Sequence, residues 1–507
     1  MRREQGERRH GVLRYRSAWL PVLVVVLCAL ALEVPARPMA QGAAAALPLP
    51  SNVLVDVNRT EPSLAINPRQ PLNVVLASNP NYASNVLYRY PPGFFFSSDG
   101  GQIWRGAVVA MPPQYGTGAD TSVAFDSAGT AYLGMVGEGY NSFCGRAAHT
   151  AAILVAHSDD GGRSLSPPAV VDSNAAGESA DKPYLTTWDV PATPHRAAHA
   201  VVAIVWTRSL PAEASQIMIA RSQDGGRTFA PAQVIYTSAG PNLGALPAAG
   251  PHGALYVAWE TFTKRSARTP KHIHIEVARS FDGGVTFSHP VSLPSTWDLP
   301  TMLPNGNLRV FAMPALAVDA ATGTVYVAWA RARLAAPGTY VGMAADVVLS
   351  RSRDGGVTWS APVALNDSPA GDRFMPSLAL LPGGTLAAIF YDRRVDGRAF
   401  DVYLAGVRDF GHRLALYPNR RLTKRSSPVT LLYYIRPGSS CVAPGRFLGD
   451  YITLSADVTT HTFGATWADM QPAPPWALAL RYSRLPVSSA LVGTPRLVPV
   501  DGSDATR

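Results

Sequence analysis

"RSQDGGRTF" occupies residues 221–229, "RSFDGGVTF" residues 279–287 and "RSRDGGVTW" residues 351–359. Two further copies stand upstream, "SSDGGQIW" at 97–104 and "SDDGGRSL" at 158–165. Their aspartates, Asp99, Asp160, Asp224, Asp282 and Asp354, follow one another at intervals of 61, 64, 58 and 72 residues. A period that holds within loop-length variation marks a repeat architecture, with one supersecondary unit per copy.

Each copy is flanked by short apolar runs. A first run opens the unit, as in "PSLAIN" (62–67), "TSVAFD" (121–126), "PYLTTWD" (183–189) and "PALAVD" (314–319). A second follows, as in "ALYVAWE" and "TVYVAWA". A third enters the repeated box and a fourth leaves it. These runs are rich in Val, Ile, Tyr and Trp and are bounded by Gly, Pro, Asn or Asp, which is strand and turn chemistry. Four antiparallel strands per unit make a propeller blade, with the box at the hairpin between the third and fourth strands.

The box has its own chemistry. Its Asp carboxylate and Ser hydroxyl can accept hydrogen bonds from the backbone of their own turn. Glycines 101, 162, 226, 284 and 356 allow the positive φ of a tight hairpin. Aspartates repeated around a ring do not converge, so Asp99, Asp160, Asp224, Asp282 and Asp354 read as structural, not as a metal array. Residues 375–411, with Asp409 and Gly411, and residues 450–485 continue the pattern without a full box. The fold expected is therefore all-β, a propeller of seven four-stranded blades, with six left open by loop length. It spans 61–490, after a linker or ring-closing segment at 41–60 and before a C-terminal strand and tail at 491–507.

Of the 507 residues, 47% are hydrophobic and 16% charged, which excludes a disordered chain. The first 40 residues combine an Arg-rich start with an apolar run from Ala18 to Leu32, shorter than the roughly 20 residues of a membrane span. They read as a signal peptide, with an uncleaved membrane anchor as the alternative. The expected location is secreted or cell-surface, with membrane contact only through this segment. The same 40 residues carry seven Arg and three acids, so much of the formal charge of +9 sits there. No basic stripe remains to suggest a nucleic-acid partner. Cys144 and Cys441 either pair in an oxidising compartment or stay free. No HExxH, P-loop, GxSxG or CxxC pattern appears, so no metal or organic cofactor is expected. A monomer is expected.

The box, at this spacing and over roughly residues 60–485, resembles the Asp-box or BNR repeat of the sialidase superfamily. The resemblance implies a carboxylate-binding arginine triad, a tyrosine nucleophile assisted by a glutamate, an aspartate acid/base and an Arg-Ile-Pro motif. Three guanidinium forks suit a carboxylate, and a neutral tyrosine avoids opposing an anionic sugar with a carboxylate nucleophile. "YRYP" (88–91) departs from the motif, with Tyr90 in place of Ile and a position only six residues ahead of the first box.

Charged residues cluster near the inner-strand starts: Glu61, Asp120, Asp181, Lys182, Arg373, Arg446, Asp450 and Tyr451. "GDRFMPSL" and "GRFLGDYITL" look alike, which makes Arg373 and Arg446 candidate equivalents. With Arg309 they give a substrate-binding triad by type, Tyr451 the nucleophile, Glu260 its assisting acid and Asp120 the acid/base. The same residues also suit solvated rims and ion pairs between blades. The function expected is an exported, glycan-directed propeller, a glycoside hydrolase of exo-sialidase type acting on acidic sugars. The alternative is a non-catalytic extracellular propeller binding a glycan or protein partner through segments 137–150 and 424–446.

Overall fold

The computed structural model describes residues 51–500 except 81–90, 140–150, 195–196, 262–271, 295, 301, 335–343, 430–431, 435–442, 446 and 471–477. The N-terminal apolar segment, Arg89, Cys144, Cys441 and Arg446 lie outside them. The chain divides into Met1–Pro48 and Leu49–Arg507, and everything described belongs to the second unit.

That unit is a propeller-like ring of largely four-stranded antiparallel sheets. Its inner strands pack in succession: Arg59–Ile66, Thr117–Phe125, Ser179–Val190, Asn242–Ala249, Ala315–Val318, Arg373–Leu381 and Thr453–Asp457. The last returns against the first and closes the ring. Closure uses both ends of the chain. Val53–Val57 adds the outermost strand to the sheet of Thr453–Asp457, Thr462–Asp469 and Ala479–Pro486. Arg496–Pro499 extends a different sheet by pairing with Arg413–Leu416.

Second strands are buried on both faces, as in Val74–Pro80, Thr385–Asp392 and Thr462–Asp469. A neighbouring sheet covers each face, so these strands read as unbroken apolar runs instead of alternating ones. Trp206, Trp259, Trp329 and Trp467 sit there, fully buried. Each buries the area of a large aromatic, worth about 25 cal/mol per Å² of apolar surface. Outer strands such as Arg105–Ala107 and Val363–Ala364 are short, which limits edge pairing with other chains.

The repeated turns close on themselves. In the first, Ser97 Oγ donates to Asp99 Oδ1 at 2.7 Å, and the same oxygen of Asp99 accepts from Gln102 N at 2.9 Å and Ile103 N at 3.0 Å. Ser158/Asp160, Ser222/Asp224, Ser280/Asp282 and Ser352/Asp354 repeat the Ser–Asp bond at 2.7–2.8 Å. Burial works upward on Asp224 and Asp354, but the hydrogen bonds from Thr228 and Thr358 outweigh it and hold both carboxyls at about 2. The second glycine serves packing as well as turn geometry. Gly101 has φ +97°, and a Cβ there would lie 2.0 Å from the ring of Tyr482 in the adjoining sheet. A degenerate version stands at Asp409, whose Oδ1 accepts from Gly411 N at 2.7 Å.

Candidate functional site

The inner strands start earlier than the apolar runs indicate, because each of five carries a bulge near its start. Pairing skips between Thr60 and Ser63, Ala119 and Ser122, Asp181 and Tyr184, Leu243 and Leu246, and Phe374 and Ser377. At each skip one residue takes left-handed backbone: Glu61 (φ +53°), Asp120 (+51°), Lys182 (+51°), Gly244 (+67°) and Met375 (+53°). Proline follows Glu61, Lys182 and Met375, and a bulge tolerates proline because it leaves a donor unpaired. A non-glycine residue in this region costs on the order of 1–3 kcal/mol and persists where the surroundings over-determine it. The bulges aim side chains from separate sheets at one point.

That point is the Lys182 ammonium. Its Nζ lies 2.8 Å from Asp120 Oδ1, 3.1 Å from Glu61 Oε1, 3.1 Å from Asp450 Oδ2 and 3.8 Å from Asp181 Oδ1. The Lys182 and Glu61 side chains are only 6% and 3% exposed, whereas Asp181 is 39% exposed. Asn79 Nδ2 donates to Glu61 and, at 3.4 Å, to Asp120. Asp450 N donates to Glu61 Oε1 at 3.0 Å. Asp450 also holds Arg309, whose Nη2 lies 2.6 and 2.8 Å from the two carboxylate oxygens. Arg309 stacks 4.2 Å over Phe447 and 5.1 Å over Phe311. Tyr451 Oη donates to the Thr121 carbonyl at 3.0 Å, its ring edge-on to Tyr184 and 5.5 Å from Lys182 Nζ. Behind these residues a cavity of about 200 Å³ runs into the channel, lined by Tyr184, Tyr451, Asp450, Met313 and Met375.

The carboxyls do not titrate together. Burial pushes Glu61 well above the usual carboxylate range, against the pull of Lys182, and Asp120 and Asp450 push it further. Burial also works upward on Asp120, but Lys182 and hydrogen bonds from Asp181 and Lys182 win and hold it at about 2. Asp181 rises to about 7, through burial and the Asp120 charge against Lys182. Glu138, which ends the second strand Ala131–Glu138, also rises to about 7 through burial, Asp120 and Asp181. Lys182 stays protonated because its carboxylates outweigh burial. Tyr451 and Tyr184 are pushed well above the ordinary phenol range, chiefly by burial. Among the described residues no three His, Cys, Asp or Glu side chains come together as metal ligands. Lys182 is the cation at the centre of the carboxylates.

The structure brings together Asp120, Tyr451 and, through Asp450, Arg309. Glu260 meets the segment that follows Arg309. It is fully buried and accepts from Ala312 N at 3.1 Å, anchoring the segment that carries Arg309, while the carboxyls acting on Tyr451 are Glu61 and Asp120. Arg373 is held inside the fold. It is 0% exposed, with Nε on Asp392 Oδ2 at 3.0 Å, Nη1 on the Gly371 carbonyl at 3.0 Å and Nη2 on the Ala370 carbonyl. "FYDRR", which suits a solvated turn, is instead a buried ionic knot, since Asp392 and Arg393 are both fully buried. Sequence reasoning misses Asn79 and Glu138. Their signal is position: Glu138 ends, and Asn79 stands one residue from the end of, a second strand directly beside a bulged inner strand.

No family model matches the chain, and no curated protein sequence matches it. In fold it is similar to solved structures that include sialidases. The Hadza microbial sialidase Hz136 shares 18% identity at a TM-score of 0.42, over 67% of this chain and 66% of that one. The chain thus spans about two thirds of that sialidase's length. A protein of unknown function from Dyadobacter fermentans gives 12% identity and a TM-score of 0.45, over 86% and 98% of the two chains. The leech intramolecular trans-sialidase gives 12% and 0.43, over 88% and 71%.

Proposed function

We propose that this chain is an exported, seven-bladed, glycan-directed Asp-box propeller whose Lys182 mouth hydrolyses a glycosidic bond of a neutral sugar. The observation that carries this reading is geometric: two carboxyls flank the Lys182 ammonium, Asp120 at 2.8 Å and largely buried, Asp181 at 3.8 Å with 39% of its side chain exposed. Lys182 holds Asp120 low against burial, while burial and the Asp120 charge push Asp181 up. Paired carboxyls whose surroundings push their titrations apart can divide acid and charge-stabilising roles. Asp181 gives its proton to the leaving oxygen as the anomeric C–O bond breaks, and regains one from the water that bonds to the anomeric carbon. Asp120 stays charged and stabilises the developing oxocarbenium ion. Tyr451, neutral and hydrogen-bonded to a carbonyl, forms a wall of the site and positions the ring.

A neutral sugar is favoured over an acidic one because the arginine clamp is not assembled among the described residues. Arg373 is locked in the fold and Arg309 is tied to Asp450. A second reading, a binding propeller without turnover, is favoured by the buried Lys182 knot, a rigid arrangement that binding alone accounts for.

The experiment is turnover of a panel of fluorogenic neutral glycosides and one sialoside by wild type and Asp181→Asn. Cleavage of a neutral glycoside, reduced at least about a hundredfold in the variant, is the expected result. Cleavage of the sialoside alone overturns the substrate assignment. No cleavage, with glycan binding retained, leaves the binding reading standing in its place.

A further inference from the structure

A second concave feature lies on the face where inner strands begin and second strands end. The two-residue strand Thr296–Trp297 bridges two sheets, with Trp297 paired to His272 on one side and to Ala332 on the other. Thr296 Oγ1 accepts from the buried Trp329 indole at 3.2 Å, which fixes the bridge. Beside it opens a groove of about 410 Å³ walled by His272, Trp297, Arg331 and Arg333. The His272 and Trp297 rings stack at 4.0 Å between centroids, tilted by 31°. Arg333 reaches the Pro369 carbonyl at 2.7 Å and Asp346 Oδ2 at 3.5 Å, and Asp346 is shared with Asn366. Arg331 is half-buried and, among the described residues, its guanidinium has no hydrogen bond or ion pair.

A half-buried guanidinium with no protein partner among the described residues, beside a stacked aromatic pair that keeps one outer face, is suited to an anion. The missing partner is an anion, and the aromatic pair asks for a flat apolar face next to it. A sugar ring with an acidic substituent supplies both, its C–H face on the rings and its acid on the fork. We propose that this groove is a second carbohydrate site, separate from the Lys182 mouth, that takes a sugar residue bearing a carboxylate or a sulfate. The ring lies on the His272–Trp297 pair and the acid meets Arg331, with Arg333 at the rim. The site does not depend on catalysis at the mouth.

The test is calorimetric titration of the full chain with three hexasaccharides: an oligogalacturonate, a heparin-derived fragment and neutral cellohexaose. Saturable binding of at least one acidic chain, at least tenfold tighter than cellohexaose, is expected, and the two acidic arms tell carboxylate from sulfate. Arg331→Gln, at a partly exposed position outside the core, should weaken that binding at least tenfold, and Trp297→Ala should do the same. Asp181→Asn, at the mouth, should leave it unchanged. Equal affinity for the neutral chain, no saturable binding of either acid, or loss in Asp181→Asn but not in Arg331→Gln would each overturn the proposal.

Discussion

Lys182 Nζ and Asp120 Oδ1 meet at 2.8 Å, and both residues hold left-handed backbone at bulges on adjacent inner strands. Local strain and buried charge are therefore stored in the same pair. The ion pair keeps the bulges aimed inward, and the bulges bring carboxylates from separate sheets to one ammonium.

Removing that ammonium should be severe. Lys182→Ala takes the shared counter-ion from Glu61, Asp120 and Asp450, of which Asp450 keeps Arg309. Losing one partner of a buried pair costs about 3–5 kcal/mol, read as a drop in urea unfolding free energy. A loss under about 1 kcal/mol would mean that water enters and solvates the cluster.

The proposed hydrolysis carries a pH dependence: Asp181 must be protonated to act as the acid, and burial and the Asp120 charge push it up to about 7. The rate should fall above that pH, and a kcat/KM profile should show the descending limb. Asp181→Asn should lack it.

Stability carries the opposite marks of raised and lowered carboxyls. Asp181 and Glu138 bind protons more tightly folded than unfolded. Their contribution is full below about pH 4 and is lost as pH rises through about 7. Asp120 is depressed, so its contribution is present above about pH 4 and lost as pH falls towards about 2. Glu138→Gln should flatten the decline between pH 5 and pH 8 in urea midpoints; an unchanged slope would place Glu138 outside the linkage.

Glycine substitutions separate backbone strain from packing. Gly101→Ala meets the Tyr482 ring, whereas Gly383→Ala, at φ +83°, meets nothing within 4 Å. The second should cost only the left-handed penalty of about 1–2 kcal/mol. The first should lose about 1–3 kcal/mol more through overpacking. Equal thermal shifts would refute the account of the turn as an inter-sheet plug.

Within each repeated turn, Asp224→Ala removes the acceptor for Arg227 N, Thr228 N and Thr228 Oγ1. The turn is exposed, so a loss of about 1 kcal/mol is expected, measured by urea unfolding. Asp224→Asn should recover part of it.

The propeller-like ring is legible from the sequence because each box contains its whole chemistry within eight residues. Ser97, Asp99 and Gly101 need only each other to form the turn. The mouth is legible in part. Charges at Glu61, Asp120, Lys182 and Asp450 stand out at strand starts, but their convergence depends on bulges that break the two-residue period. Proline after Glu61, Lys182 and Met375 is the trace those bulges leave. Arg373 misleads because a guanidinium at a strand start serves equally as a strut. Its cross-strand neighbour Asp392 settles the matter only once the register is known. Glu260 is harder to read because one of its partners is the backbone amide of Ala312, for which side-chain chemistry leaves no mark.

The sheet that closes the ring takes its outermost strand, Val53–Val57, from the beginning of the described chain and its other three from the end. A ribosome therefore makes the latch first and the keeper last, more than four hundred residues later. Until Ala479–Pro486 has emerged, Val53–Val57 has no native partner, and the sheets made in between form an open arc. Closure is a long-range search that local strand pairing cannot shorten, and folds dominated by such pairings form slowly. Until that one pairing of Val53–Val57 with Ala479–Pro486 forms, the sheets are an arc without a latch.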